Sequence, residues 1–326
     1  MVLILSEETD LTTNEVTDWM EFYNVPFFRI NKEMPIRLNH LKLSNNYSSS
    51  FCIDIGEGNQ INSKNVQAYW YRRGNFHIPF EGINNHNQLL CNELNDFLYS
   101  ENYSLKESIH ISLKDLSGIG NIFEDQRNKF HHLSIAAQKG LRIPDSIITS
   151  DRSELLEFMD IHNNVVTKAI RSGILYADEK ISLSAYTSRI LYNEALKLPA
   201  FFFATQFQEH IIKKYDVRIF YLGGLIYAAA IFSQLDKQTS VDFRNYNQKK
   251  QNRVTPFRLP IEVRNKIVEL MTCLKMKSGS IDLIYSDKNE FVFLEINPIG
   301  QFAQVSEPCN YYLEEKIATY FKEILQ

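Results

Sequence analysis

The sequence predicts a mixed α/β protein of three successive domains. Three observations carry this. The first hundred residues alternate short apolar strands with amphipathic helices. A second such run follows a glycine-containing connection at 117–121, and the last third holds long apolar strands ending in a carboxylate-bearing hairpin. Residues 2–5 read as the first strand and 12–23 as a helix, with Thr12 or Thr13 as its N-cap. A second strand covers 25–30 after a turn at Asn24, and a third covers 68–71. Residues 87–99 have helical spacing, with Leu89, Leu90, Leu94, Phe97 and Leu98 on the inner face, while 45–50 is polar and loop-like. These make a small α/β domain over 1–117.

The central domain, 118–205, takes a helix that carries Lys129 and stops at Gly140, a strand at 143–149, a helix near 153–161 and a strand at 165–168. The last domain, 206–326, takes apolar strands within 217–232, a helix from Pro260 to residue 275, strands at 279–285 and 291–297, and a terminal helix over 311–325. Pro260 suits the first turn of its helix, where a missing N–H costs nothing.

Composition narrows the class. At 326 residues with 44% hydrophobic and 23% charged content, the chain can bury a sizeable core. A formal charge of −4 gives no reason to expect nucleic-acid binding. Cys52, Cys91, Cys273 and Cys309 are scattered, form no Cys-x-x-Cys pair and read as reduced thiols of a cytoplasmic protein. No apolar run is long enough to span a bilayer.

The chemistry concentrates in Phe291-Val292-Phe293-Leu294-Glu295-Ile296-Asn297. Residues two apart on a strand share a face, so Glu295 and Asn297 converge, and a turn at 286–289 brings Asp282 alongside them. Two carboxylates and an amide oxygen are hard donors that suit Mg²⁺. A surface hairpin with incidental acids is the plainer alternative. It fits poorly, because Glu295 ends an apolar run where an unpaired carboxylate is costly.

This arrangement resembles the metal-binding end of the ATP-grasp ligases, and further segments match that family in order. Lys129 opens a helix, Lys168 ends a strand, Gln208-Glu209-His210-Ile211 falls where an adenine hinge is expected, and Asp282, Glu295 and Asn297 follow. Asp216-Val217-Arg218 and Val241-Asp242-Phe243-Arg244-Asn245 are similar to the branch that adds glutamate to a ribosomal protein. Within that branch, Tyr69-Trp70-Tyr71-Arg72-Arg73, Gly140-Leu141-Arg142-Ile143-Pro144-Asp145 and Pro298-Ile299-Gly300-Gln301-Phe302 resemble the maturases of ribosomally made peptides, the graspetide synthetases, with the grasp-with-spasm subgroup nearest.

The resemblance implies an ATP-grasp fold with an N-terminal α/β domain and the nucleotide between the central and C-terminal domains. It implies ATP with Mg²⁺, two ions of it. The reaction it implies phosphorylates Asp or Glu side chains of a precursor peptide and links them to Ser or Thr hydroxyls or to Lys amines. That peptide would carry a leader and a core rich in Thr or Ser and Glu or Asp. No membrane or nucleic-acid partner is expected, and a homodimer stays open. Lys129 and Lys168 fall to the triphosphate, Glu209 to the adenine amino group, and backbone at His210 and Ile211 to the ring edge. Arg218 and Arg244 fall to the acyl phosphate and the acidic side chain, while Asp216 holds either the ribose or the peptide nucleophile. Many relatives follow the second lysine with a glycine-rich loop; here 169–175 holds one glycine, so either this short loop closes over the phosphates with Arg171 and Ser172 or the nucleotide is covered less fully. An ATP-grasp ligase for a small amino acid or dipeptide is the alternative, and a nucleotide-binding regulator without catalysis is a third reading.

Overall fold

The structure, a computed structural model, describes residues 1–45, 49–84, 86–120, 122–125, 128–171, 175–178, 181–184, 187–234 and 251–326. It divides into two compact units, Met1–Asp125 with Tyr312–Gln326, and Gln126–Tyr311. Arg244, the whole of 241–245 and Ser172 lie outside the described residues.

The first unit is built on a parallel sheet in the order Phe27–Asn31, Val2–Ser6, Ala68–Tyr71, Ser117–Ile119. Val2–Ser6 is buried along its whole length, as a central parallel strand with both faces covered must be. Residues 117–119, expected as a connection, form its fourth strand. Gly118 permits this, since a Cβ there would sit 1.8 Å from the Tyr69 carbonyl oxygen. The helix expected over 12–23 runs Leu11–Phe22 with Asp10 at the N-cap position. The Asp10 carboxylate does not cap it and instead lies 3.0 Å from the Arg72 guanidinium.

The helix expected at 87–99 extends over Gln88–Leu113; it buries Cys91, Ile109 and Leu113, while Leu89, Leu90 and Phe97, expected on its inner face, are exposed. Asn87 caps it by accepting from the Leu90 amide. A three-stranded antiparallel sheet, Arg37–Leu43, Ser49–Asp54 and Gln60–Asn62, was not expected. The outer strand Arg37–Leu43 is largely exposed and offers no apolar run. The helix Leu313–Leu325, expected to close the last domain, belongs to this first unit. It buries Leu313, Ile317 and Phe321, and Phe321 meets Trp70 at 6.0 Å between ring centres.

The described residues of the second unit hold a two-stranded antiparallel sheet, Leu175–Ala177 with Ser182–Ser184, and two larger antiparallel sheets. Of these two, the smaller runs Ser188–Ile190, Val165–Lys168, Phe201–Glu209, Ser146–Asp151. The helix Arg152–Ile161 packs Leu155 and Met159 against its Val165 and Phe207. The larger runs Arg253–Phe257, Leu225–Phe232, Lys213–Leu222, Ser278–Ser286, Phe291–Asn297. One face of this sheet carries Val217, Ile219, Ile281, Leu283 and Phe293 into a core completed by two helices, Lys129–Gln138 and Ile261–Cys273. Alternation sends Asp216, Arg218 and Asp282 to the other face. Gly300 turns the chain after the last strand at φ 68°, a left-handed backbone that a side chain resists. Among the described residues, no helix is long and apolar enough to cross a membrane.

Candidate active site

Two β-bulges build the charged face. Asp282 stands opposite Glu295, but the next pair is Leu283 with Phe293, so Leu294 is an extra residue. It resets the alternation of its strand. Phe293 and Ile296 point into the core, while Leu294 and Glu295 line a cavity with Asp282. In the neighbouring strand Lys213 pairs with Ser286 and Tyr215 with Tyr285, leaving Lys214 as the extra residue. Lys213 thereby shares a face with Asp216.

Each buried charge on this face has a partner. Arg218 Nη1 donates to Asp282 Oδ1 at 2.6 Å, with both side chains almost fully buried. Lys129 Nζ donates to Glu295 Oε2 at 2.8 Å from the first residue of its helix, whose N-terminus Asn128 caps through the Phe130 amide. Lys213 Nζ donates to both Asp216 oxygens at 2.8 Å, and Ser233 Oγ donates to Asp216 Oδ2 at 2.5 Å. Burial nonetheless pushes the Asp216 carboxyl above its usual range, with Lys213 and Ser233 working against the shift and the Asp282 charge adding to it. The guanidinium of Arg218 also reaches the Gln301 carbonyl at 3.4 Å, and Ser280 Oγ donates to the same oxygen at 2.7 Å. The Arg218 Nε is buried and has no hydrogen-bond partner among the described residues.

The cavity draws on the four-stranded and the five-stranded sheet of the second unit. Val166, Lys168 and Gln208 come from the smaller sheet; Asp216, Asp282 and Glu295 come from the larger; and Glu209, His210 and Ile211 join them. Lys168 ends its strand as expected from sequence, half-buried at the cavity wall. Gln208 is buried and donates to Ser146 Oγ at 2.8 Å. The hinge is pinned by its backbone, with Glu209 N–H on the Asp145 carbonyl and His210 N–H on the Asn164 carbonyl, each at 2.9 Å.

The Glu209 carboxylate, expected on an adenine amino group, accepts from Arg142 at 2.5 Å. Burial would raise its pKa, but the Arg142 hydrogen bond and charge, the Asp145 amide and His162 outweigh that and hold it below the usual value. His210 is held down at about 4 by burial, then by the Arg189 and Lys213 charges, so its ring is neutral at physiological pH. Asn297, the third metal candidate, is half-buried opposite Ser280 and lies outside the cavity lining, as does Arg218. Sequence reasoning missed Lys213, Ser233 and Arg142. For Lys213 a signal was present: a lysine three residues before an aspartate at the head of an apolar run.

The donor set fits Mg²⁺. Asp282 and Glu295 are buried oxygen donors directly opposite each other, a like-charge pair that is unfavourable unless cations attend it. Asp145, His162 and Glu209 form a second cluster, with ligand atoms within 4.8 Å of one another, but the Arg142 guanidinium already sits on it.

No protein-family model matches the chain, and no curated protein does either. Solved structures do match. A RiPP-associated ATP-grasp ligase from Chryseobacterium gregarium, in complex with ADP and a leader and core peptide, is 22% identical with a TM-score of 0.77, over 99% of this chain and 96% of that one. The macrocyclase MdnC from Microcystis aeruginosa, bound to precursor peptide MdnA, is 22% identical with a TM-score of 0.78, over 99% and 100%. The ATP-grasp ligase PsnB, complexed with a minimal precursor, Mg and ADP, is 13% identical with a TM-score of 0.73, over 100% and 97%. The chain has the fold of these ATP-grasp ligases over nearly its whole length.

Proposed function

We propose that the chain is an ATP-dependent ligase that links side chains within a ribosomally made precursor peptide. Asp or Glu carboxyl groups would take the γ-phosphoryl group of ATP and then be joined to Ser or Thr hydroxyls, or to Lys amines, with release of ADP and phosphate. One observation carries the reading: Lys168, the hinge and the facing carboxylates Asp282 and Glu295 converge on one cavity, in a fold whose matches include ligases solved with precursor peptides.

In this reading the nucleotide lies between the central segment, 118–205, and the segment from 206 onward. Lys129 and Lys168 set positive charge against the triphosphate, the hinge backbone meets the adenine, and Asp216 meets either the ribose or the attacking side chain. Mg²⁺ held by Asp282, Glu295 and Asn297 would neutralise charge on the transferring phosphoryl group. Arg218, held by Asp282, is assigned to the substrate carboxylate and then its acyl phosphate. Arg244 is assigned the same duty from sequence. Cys52, Cys91 and Cys309 are buried and Cys273 is exposed, none of the four in a disulfide, in keeping with a cytoplasmic enzyme.

The test is to search the neighbouring reading frames for a short peptide with a Thr/Ser- and Glu/Asp-rich end, co-express it with the protein and follow the peptide by mass spectrometry. Each ester or amide formed removes one water from the peptide. An unmodified peptide, together with ATP turnover driven by free amino acids or dipeptides, would replace this reading by the small-molecule ligase.

A further inference from the structure

Asp282 and Glu295 face each other across adjacent strands, and a different cation attends each. The two cations are held very differently. Arg218 is almost fully buried on a central strand, and its guanidinium also reaches the Gln301 carbonyl, so it is part of the framework. Lys129 stands on the first residue of a helix, its side chain is one-third exposed, and it approaches Glu295 from outside the sheet. Its ammonium is a compact charge on a flexible stem, and a partly solvated ion pair of this kind exchanges at small cost.

We infer that Lys129 is an exchangeable counter-ion: it occupies Glu295 before a divalent cation arrives and leaves when the cation binds. The inference rests on the proposed metal site and goes one step beyond it. Glu295 is buried at the end of an apolar strand, so an unpartnered carboxylate there would be costly, and Lys129 supplies the charge in the meantime. A cation on Asp282, Glu295 and Asn297 takes over that task, and the released ammonium becomes available to an anionic ligand in the cavity. Lys129 therefore opposes metal binding in the nucleotide-free protein and favours the nucleotide once metal is present. Metal and nucleotide become linked through one side chain, without any movement of the sheet.

The probe is Mn²⁺ alone, titrated into nucleotide-free protein and followed by electron paramagnetic resonance. Lys129→Gln should bind Mn²⁺ more tightly than the wild type, by on the order of tenfold, a typical size for coupling between two ligands. Its affinity for ADP should fall at the same time. Unchanged or weaker Mn²⁺ binding by Lys129→Gln overturns the inference. Asp282→Asn and Glu295→Gln serve as the reference: if neither weakens Mn²⁺ binding, the metal site itself is wrong, which is a separate failure. A second measurement uses the unaltered protein. Amine-reactive labelling of Lys129, read by peptide mass spectrometry, should rise when Mg²⁺ is added without nucleotide, and labelling that stays constant also overturns the inference.

Discussion

The two faces of the five-stranded sheet are made by alternate residues of the same strands, yet they are buried by opposite means. One carries Val217, Ile219, Ile281, Leu283 and Phe293 against two helices, where removal of apolar surface from water is the whole of the stabilisation. The other carries Asp216, Arg218, Asp282 and Glu295, where burial opposes stability and each charge is retained only because a partner meets it. The apolar face needs volume filled; the charged face needs geometry. Substitutions on the two faces should therefore fail in different ways.

The largest contrast is between ligand loss and fold loss. Asp282→Asn and Glu295→Gln keep shape while removing a charge, so both variants should form no product with Mg²⁺ and ATP. Asp282→Asn should also lose stability, because it leaves the buried Arg218 charge uncompensated. Wild-type turnover in either would remove the metal assignment. Phe293→Ala, on the apolar face of the same strand, should do the reverse and destabilise the fold by about 3–5 kcal/mol in urea unfolding. A loss below about 1 kcal/mol would mean that this face is far less tightly packed than its burial implies.

Arg218→Lys sharpens the charged side further. A lysine keeps the charge but loses the planar fork that donates to Asp282 and would hold the acyl phosphate through paired hydrogen bonds, so turnover should fall by about 100-fold or more. ADP affinity should change little, because contacts that strengthen only as charge develops lower kcat before they lower binding. Near-normal turnover would leave Arg218 a structural ion-pair partner and pass the substrate role to Arg244.

The first unit shows a third way to bury a titratable group. His110 lies under Tyr69, Tyr71 and Phe76, and burial lowers its pKa to about 4, so it is held neutral instead of paired. Between the unfolded value near 6.5 and about 4, the unfolded chain binds a proton that the folded chain refuses. Stability should thus fall as pH drops through that window, by about 3 kcal/mol at its lower end. Melting curves of the wild type and His110→Gln should converge on acidification; parallel curves would place His110 in contact with solvent. The smallest effect is expected of Lys168→Ala, which should weaken ADP binding by about tenfold in calorimetry, since one half-buried phosphate contact is lost. Unchanged affinity would make Lys168 a solvated wall residue.

Much of this comparison was legible in the sequence, and the illegible part has physical causes. Strands such as 165–168 and 291–297 announced themselves through apolar residues and through what ended them, Lys168 and Asn297. The Lys129 helix was visible from its helical run and the glycine that stops it. The sheet at 37–62 was hidden because its outer strand is solvated on much of its surface and lacks an apolar signature. The parallel pairing of 117–119 was hidden because Gly118 is there to make room, not to end an element. Lys213 was missed for the same reason that Glu295 was found by a route only half correct. Simple alternation would place Glu295 on the core face beside Phe293, and an extra residue in the ladder is invisible to a period of two.

That extra residue at Leu294 has a further consequence. The strand runs in one phase as far as Phe293 and in the opposite phase from Glu295, so its pairing and not only its composition decides which side Glu295 faces. Pairing Leu294 regularly in the ladder, with no bulge, would leave Asp282, Glu295 and Asn297 all in place in the sequence while turning Glu295 toward the helices and Ile296 toward the cavity. A relative could thus retain every residue of the site and still lack the site.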